Sequence, residues 1–302
     1  TLLIELLGAF LSFPVFFRDY PLPRAIGLSL FHSVASFNNS GFDVLGNGTS
    51  LIPYQKDVFL NLVTCALVIA GGIGFPVIFG LPQKHFSWKR LSMHTRVVLS
   101  TTFALLLFGT LLLKLTENIS WLGAFFYSVS ARTAGFSTYN LGDFSTAGLL
   151  VVSGLMFIGA SPASTGGGIK VTTLFVCIWS AIAYTRNQHP TVFRRRFSQE
   201  VRDKALMIFL MGLSVVLVST FLLCMLEPDA SFIQVLMETT SAFATVGLSC
   251  GLTGGLSGLS KLVLILTMYI GRLGPLTVAT LWIVQGRRNS EILRPEETIS
   301  VG

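Results

Sequence analysis

Three short stretches of the 302-residue chain are alike, and each carries one glycine near its end. They are residues 36–42, 130–136 and 242–248, and their glycines lie 94 and 112 residues apart. A cation filter needs consecutive backbone carbonyls that turn toward one axis and replace the hydration shell of the ion. One residue of such a loop needs a positive φ, which glycine adopts without steric cost. The repetition therefore predicts a pore built from matched loops.

The candidate filter residues are the three glycines and the residues just before each of them, whose carbonyls would line the axis. They are Asn38, Asn39, Ser40, Gly41, Arg132, Thr133, Ala134, Gly135, Ala244, Thr245, Val246 and Gly247. Arg132 is expected to brace its loop by donating to backbone carbonyls rather than to contact the ion. Any one of these glycines alone would be explained as well by a turn or a helix contact, but three in matched settings favour a filter.

Hydropathy indicates that the elements holding these loops cross a membrane. The chain is 52% hydrophobic and 12% charged, with a mean hydropathy of +0.71. A soluble domain carries about twice that charged fraction. A spanning helix needs about 20 mainly apolar residues. Five runs meet this requirement: 58–82, 97–115, 147–184 (interrupted), 205–226 and 259–284. A shorter run at 2–17 has no charged flank and is expected to belong to a truncated helix. The sequence predicts an all-α, multi-pass integral membrane protein.

Three apolar segments between these runs are too short to cross a membrane. They are residues 25–37, 119–131 and 232–243, each about 13 residues, or roughly 20 Å as a helix. Each leads into one of the glycine loops. Irregular backbone at membrane depth is tolerated only where it is buried in protein or lines a wet cavity. The predicted unit is therefore helix, short pore helix, loop and helix, repeated in residues 1–82, 83–185 and 186–302 around one central ion pore. The last unit includes a cytoplasmic C-terminal tail.

Basic residues predict the orientation. Thirteen of the 21 lie in two loops and the tail: Lys84, Lys89, Arg90, Arg96, Arg186, Arg194, Arg195, Arg196, Arg202, Lys204, Arg287, Arg288 and Arg294. The positive-inside rule places this group in the cytoplasm. A nucleic-acid partner is the competing interpretation of residues 194–196, but juxtamembrane basic loops are far more often orientation signals. The net charge of +7 therefore mostly reflects the basic residues that set the orientation of the chain in the membrane.

Several motifs together identify a family. Besides residues 130–136, they are the segments 71–76 (GGIGFP), 159–170 (GASPASTGGGIK) and 271–277 (GRLGPLT). With these motifs the chain resembles the membrane subunits of the Trk/Ktr/HKT potassium transporter superfamily, and the KtrB branch most closely. The resemblance implies four repeats around one pore, of which the second, third and fourth are visible here and the first is missing. It also implies potassium uptake, with some sodium passage or dependence, through a bacterial inner membrane.

The segment 159–170 breaks the run 147–184, and in the resembling family this segment obstructs the pore below the filter. Its gate residues are expected to be Ser164, Thr165, Gly166, Gly167, Gly168 and Lys170. A phosphate-binding P-loop is excluded because Ile169 separates Gly168 from Lys170 and no strand precedes the motif. A simple kink at Pro162 is the alternative, but it leaves the polar, glycine-rich tract unexplained.

Arg272 lies near the middle of the run 259–284, where an unpaired charge is costly and usually lines a pathway. We expect it to form an electrostatic barrier below the filter, with Glu5 as the acid that neutralises it. The alternative is an arginine that reaches to the membrane interface.

The resemblance also implies partners: a second copy of the chain and a cytosolic ring of RCK-type subunits, which would carry the nucleotide. Potassium is the expected transported ion, and no organic cofactor is expected in this chain. Two other functions were weighed. A secondary transporter with broken helices would have inverted repeats, whereas these three units re-enter from one side. A polytopic membrane enzyme would need a converging acid, base or nucleophile, and the sequence offers none.

Overall fold

The computed structural model describes residues 1–43, 45–46, 48–193 and 195–280. Within these ranges the chain is helical apart from loops and one two-residue hairpin. The helices are α1 (Leu2–Asp19), α2 (Leu22–Phe37), α3 (Val58–Ile73), α4 (Phe75–Gln83), α5 (Met93–Thr116), α6 (Trp121–Ser130), α7 (Thr146–Phe157), α8 (Val171–Thr185), α9 (Gln199–Leu226), α10 (Phe232–Ala244), α11 (Gly258–Leu273) and α12 (Pro275–Thr280). The strands β1 (Thr191–Val192) and β2 (Arg195–Arg196) pair antiparallel between α8 and α9.

The same order of elements occurs three times: an outer helix, a short helix, a glycine loop and an inner helix. The short helices α2, α6 and α10 have 16, 10 and 13 residues. Six of the twelve described α-helices begin at a residue whose side chain accepts a hydrogen bond from a first-turn amide, which satisfies an otherwise unpaired donor. These capping residues are Asp57, Ser92, Ser120, Ser145, Ser198 and Ser257.

A carboxylate joins the outer helix to the inner helix in the second and third of these units. Glu117 ends α5 and accepts from the amide and hydroxyl of Ser145, at 3.0 and 2.6 Å. Glu227 ends α9 and accepts from the Ser257 amide at 2.8 Å and the Ser260 hydroxyl at 2.7 Å. These bonds hold the pKa of the exposed Glu227 carboxyl below its ordinary value, with the Ser257 amide as the largest cause. The matched contacts show that the units repeat in structure and not only in sequence.

Two helices, α5 and α9, are each long and apolar enough to cross a membrane, and α3 with α4 makes a third candidate if the bent pair is one span. Large apolar side chains such as Phe103, Leu115 and Phe221 are exposed on these outer helices. The short helices α6 and α10 are instead mostly buried. This is the distribution that a bundle in lipid needs, with apolar surface outside and the polar loops enclosed.

The apolar runs 58–82 and 259–284, each expected to cross the membrane, are not continuous helices. The first run bends by 95° between α3 and α4, and the second breaks between α11 and α12. Both breaks fall at a glycine in the left-handed region, Gly74 with φ +91° and Gly274 with φ +90°. A proline follows within two residues in each case and lies in the first turn of the next helix, where its missing N–H costs nothing. Residues 281–284 lie outside the described residues.

The two basic loops lie together. Trp88 of the first loop packs edge-to-face on Phe193 of the second, with ring centroids 6.1 Å apart. The Arg96 guanidinium lies 5.5 Å from the centroid of the same Phe193 ring, within the range of a cation–π contact. The contact agrees with the expectation that both loops face the same side. Arg194 and the tail arginines Arg287, Arg288 and Arg294 lie outside the described residues.

Candidate functional site

The three glycine loops leave the C-terminal ends of α2, α6 and α10 with the same backbone pattern. In each loop the glycine and the residue two positions before it both have positive φ. The pairs are Asn39 (+51°) and Gly41 (+57°), Thr133 (+106°) and Gly135 (+83°), and Thr245 (+52°) and Gly247 (+93°). A positive φ costs an L side chain about 1–2 kcal/mol, so three matched pairs mark a required backbone path rather than chance turns.

Hydrogen bonds anchor each loop to its own short helix. The amides of Ser40 and Val246 bond to the carbonyls of Ala35 and Ser241, both at 3.0 Å. In the middle loop the bond runs from the Gly135 amide to the Ser130 carbonyl, at 3.3 Å. All three bonds join residues five positions apart, so they fasten the loop to the last turn of the buried helix. The short helices thus fix where the loop carbonyls lie.

The loops contact one another in sequence order. A Cβ added to Gly41 would clash with the carbonyl oxygen of Ala134, and one added to Gly135 would clash with that of Val246. A Cβ on Gly247 would meet no described atom within 4 Å. Gly41 therefore lies against the backbone of the second loop, and Gly135 lies against the backbone of the third. In both cases the contact is with the residue just before the glycine of the neighbouring loop. The first loop thus contacts the second, and the second contacts the third.

A polar cavity of about 370 Å³ lies over the loops, and Gly41, Gly135 and Gly247 all line it. Its wall is completed by polar groups such as Ser50 and Asn140. The Leu51 amide bonds to the Ser137 carbonyl at 3.0 Å, which ties the wall segment after the first loop to the second. One wet cavity that reaches all three loops is what an ion needs to approach them.

The side chains of Asn38 and Arg132 make no hydrogen bond to a carbonyl of the three loops among the described residues. Asn38 points to α1, where its Nδ2 donates to Glu5 Oε1 at 3.0 Å. Arg132 is 5% exposed, and its Nε and Nη1 have no hydrogen-bond partner among the described residues. The prediction that Arg132 braces its loop by donating to carbonyls is therefore wrong for these atoms.

The broken segment between α7 and α8 passes directly beneath the loops. Residues Ile158 and Ile169 form a parallel bridge, and the Ile169 amide bonds to the Phe157 carbonyl at 3.2 Å. A Cβ on Gly166 would clash with the Thr133 hydroxyl, and one on Gly167 would lie 2.7 Å from the Ala244 carbonyl oxygen. The glycines therefore let this segment press against two of the glycine loops, where larger residues would not fit.

Three side chains hold the segment in place. Lys170 Nζ donates to the Gly166 carbonyl at 2.5 Å, and Arg272 Nη1 donates to the adjacent Thr165 carbonyl at 2.7 Å. Asn39 Nδ2 donates to the Thr165 hydroxyl at 3.0 Å. The expected Arg272–Glu5 pair is therefore wrong, since the guanidinium bonds to a carbonyl and Glu5 bonds to Asn38. Two cationic groups thus converge on consecutive carbonyls below the loops.

Two buried polar groups beside the loops were not found from the sequence. The Glu238 carboxylate accepts from Ser249 Oγ at 2.5 Å, the Cys250 amide at 3.2 Å and Thr253 Oγ1 at 2.7 Å, and so fastens the segment after Gly247 to α10. His32 Nε2 lies 2.9 Å from Thr64 Oγ1, between α2 and α3. Isolated polar residues in short apolar segments are their only sequence signal.

The family of TrkH cation transport proteins matches residues 2–113 and 90–291, which together cover almost the whole chain. The chain belongs to the TrkH family. Its fold is similar to that of the crystal structure of the potassium transporter TrkH from Vibrio parahaemolyticus, with a TM-score of 0.73 and 21% identity over 93% of this chain and 62% of that one. That likeness confirms the predicted all-α membrane fold.

Named relatives are more similar in sequence. The chain is 39% identical, over 91% of its length and 62% of the relative's, to Ktr system potassium uptake protein B of Vibrio alginolyticus. It is 37% identical, over 100% of its length and 70% of the relative's, to the potassium/sodium uptake protein NtpJ of Enterococcus hirae. The chain thus spans 62% of the length of the first of these relatives. The predicted resemblance to the Trk/Ktr group is confirmed.

Proposed function

We propose that this chain forms the ion pathway of a potassium uptake protein in a bacterial inner membrane. The observation that carries the proposal is the matched pair of positive-φ residues in each of three loops that contact one another in order. Such alternation turns backbone carbonyls toward a common axis, where they can replace the hydration shell of a cation. The names of the TrkH-family relatives support potassium as that cation. Transport of an ion, rather than catalysis, follows from the same arrangement.

The three units are then the second, third and fourth of four repeats, at residues 1–82, 83–185 and 186–302. A fourth loop of the same kind would lie beside Gly247, where a Cβ meets no described atom within 4 Å. Because all three loops border one cavity, the units share one orientation. This argues against a secondary transporter built from inverted repeats, whose halves enter the membrane from opposite sides.

The segment 159–170 is the gate in this proposal. It lies against Thr133 and Ala244 of two loops, and Lys170 and Arg272 bring positive charge to the same level. A positive charge beside the pathway in low dielectric raises the barrier for a cation. Movement of the segment would remove both the obstruction and part of that charge. Lys170 and Arg272 hold two adjacent carbonyls of the segment, and exchange of these two bonds would allow a second arrangement of similar energy.

The proposal also includes three further features: passage of sodium or dependence on it, a homodimer, and a cytosolic RCK-type ring that carries the nucleotide. A similar protein from Enterococcus hirae is named a potassium/sodium uptake protein, and another relative is named as part of a Ktr system. The paired basic loops around Phe193 give the partner a cationic surface.

The direct test is potassium uptake in bacterial cells that lack their own uptake systems. Cells expressing the protein are expected to grow at low potassium and to accumulate it, and a Gly135→Ser variant is expected to lose that growth advantage at high sodium. Failure of the intact protein to support uptake, although it is inserted in the membrane together with a Ktr-type partner, would contradict the proposal.

A further inference from the structure

A large open cavity lies apart from the glycine loops, at the basic end of the molecule. It measures about 860 Å³ and is bordered by the end of α8, the β1–β2 hairpin and the start of α9. Arg186, Arg196, Arg202 and His189 line it, and none of its lining residues is acidic. A concave wall with three guanidinium groups and no carboxylate is suited to binding an anion.

These arginines form no ion pair within the part of the chain that the structure describes. The one ion pair found there joins Arg18 to Asp57, at 3.5 Å, and involves none of them. Arg202 Nε is buried and has no hydrogen-bond partner among the described residues. An unsatisfied buried donor costs about 1–3 kcal/mol. The guanidinium of Arg202 is therefore incompletely satisfied by the described residues.

The cavity opens beside surface that suits lipid. Tyr184 lines it and is 87% exposed, and Trp179 lines it on the same helix. The Trp179 indole donates to the Thr191 carbonyl at 3.2 Å and so holds the hairpin over the cavity. Ile178 and Leu206, on α8 and α9, are exposed apolar side chains next to it. Aromatic residues of this kind collect at the membrane interface, at the level of the lipid headgroups.

We propose that this cavity binds the phosphate-bearing headgroup of an anionic phospholipid. The arginines would hold the phosphate oxygens, which Arg recognises through paired N–H donors. The acyl chains would lie along the exposed apolar faces of α8 and α9. A soluble phosphate would satisfy the arginines but leave those faces unused. The proposal requires that the chain spans a membrane, and it does not depend on which ion passes through it.

The test is lipid binding by the purified protein in zwitterionic detergent. Phosphatidylglycerol with brominated acyl chains is added, and bound lipid is followed by quenching of Trp179 fluorescence and by native mass spectrometry. An Arg186→Gln/Arg202→Gln variant is compared with the intact protein. We expect it to lose about fivefold in affinity for each arginine removed. A Trp179→Phe protein is measured in the same way. The quenching that is lost in this variant is the part that arises at the cavity.

A matched control removes two charges from the other basic loop, in a Lys84→Gln/Arg90→Gln variant. Both residues are exposed and neither lines the cavity. We expect this control to bind phosphatidylglycerol as the intact protein does. Equal loss in both variants would show a diffuse basic surface and overturn the proposal. Binding of inorganic phosphate without phosphatidylglycerol would assign the cavity to a soluble anion and would equally overturn it. Elution volume and melting temperature in detergent show that each variant is folded.

Discussion

The contact between Asn39 and Thr165 links a glycine loop directly to the segment beneath it. If that segment gates the pathway, the bond exists in the closed arrangement and is lost on opening. A Thr165→Val substitution keeps the shape of the side chain and the Thr165 carbonyl that accepts from Arg272. It removes only the hydroxyl, which accepts from Asn39 Nδ2 at 3.0 Å and donates to the Gly71 carbonyl at 3.5 Å. The closed arrangement alone is weakened.

The magnitude follows from the burial of Asn39, which is 5% exposed. Leaving its Nδ2 without a partner costs about 1–3 kcal/mol. An equilibrium between closed and open arrangements then moves toward open by roughly 5- to 150-fold, since about 1.4 kcal/mol is a tenfold change. As long as the open arrangement is the minor one, flux rises in proportion to the population of that arrangement. We therefore expect at least about a fivefold rise in flux without the cytosolic partner.

The assay is partner-free potassium uptake in cells that lack other uptake systems, normalised to the amount of inserted protein. Ser164→Ala is the matched control, because among the described residues its hydroxyl donates to the Ser161 carbonyl within the same segment, at 2.6 Å, and to no other group. We expect the control to leave flux within about twofold of the intact protein. Level or lower flux in a well-inserted Thr165→Val protein would refute the link between loop and segment.

Further predictions concern the same segment and the basic loops. Deleting residues 166–168 should raise partner-free flux, because the segment then no longer reaches the loops, and a folded deletion with unchanged flux would favour a structural kink. Lys170→Ala should act in the same direction by less, since one of the two cationic bonds remains; a fall in uptake would contradict this. Charge reversal at Arg194, Arg195 and Arg196 should weaken binding of an RCK-type ring in a pull-down, and undiminished binding would leave those residues with an orientation role alone.

Part of this architecture was predictable from the sequence because it is periodic. The short helices and their loops follow from apolar segments that end in matched glycines. The break in the run 147–184 follows from a polar tract that no spanning helix accommodates. The breaks at Gly74 and Gly274 were missed because apolar residues continue on both sides of each glycine. A glycine followed closely by proline was the only local signal of these bends.

The site's long-range contacts could not be predicted in the same way. Asn39 and Thr165 are 126 residues apart, and their contact depends on how the segment folds beneath the loops. Arg272 was assigned to Glu5 because charge alone suggested an acid, whereas a nearby carbonyl with no other donor satisfies it. Which of these two groups Arg272 reaches depends on the positions of Glu5 and of the Thr165 carbonyl in the folded chain. Hydropathy and charge do not specify those positions.

The central claim is that the three loops present carbonyls to a permeating cation, and Gly135 tests it most directly. Its φ of +83° costs an L side chain about 1–2 kcal/mol, and its Cβ would displace the Val246 carbonyl. Gly135→Ser should therefore lower potassium over sodium selectivity about tenfold, a shift of roughly 59 mV in reversal potential under bi-ionic conditions. The control is Gly27→Ser. Gly27 lies in α2, and an added Cβ there meets no described atom within 4 Å, so this variant should leave the reversal potential unchanged. An unchanged reversal potential in an inserted Gly135→Ser protein would contradict the account.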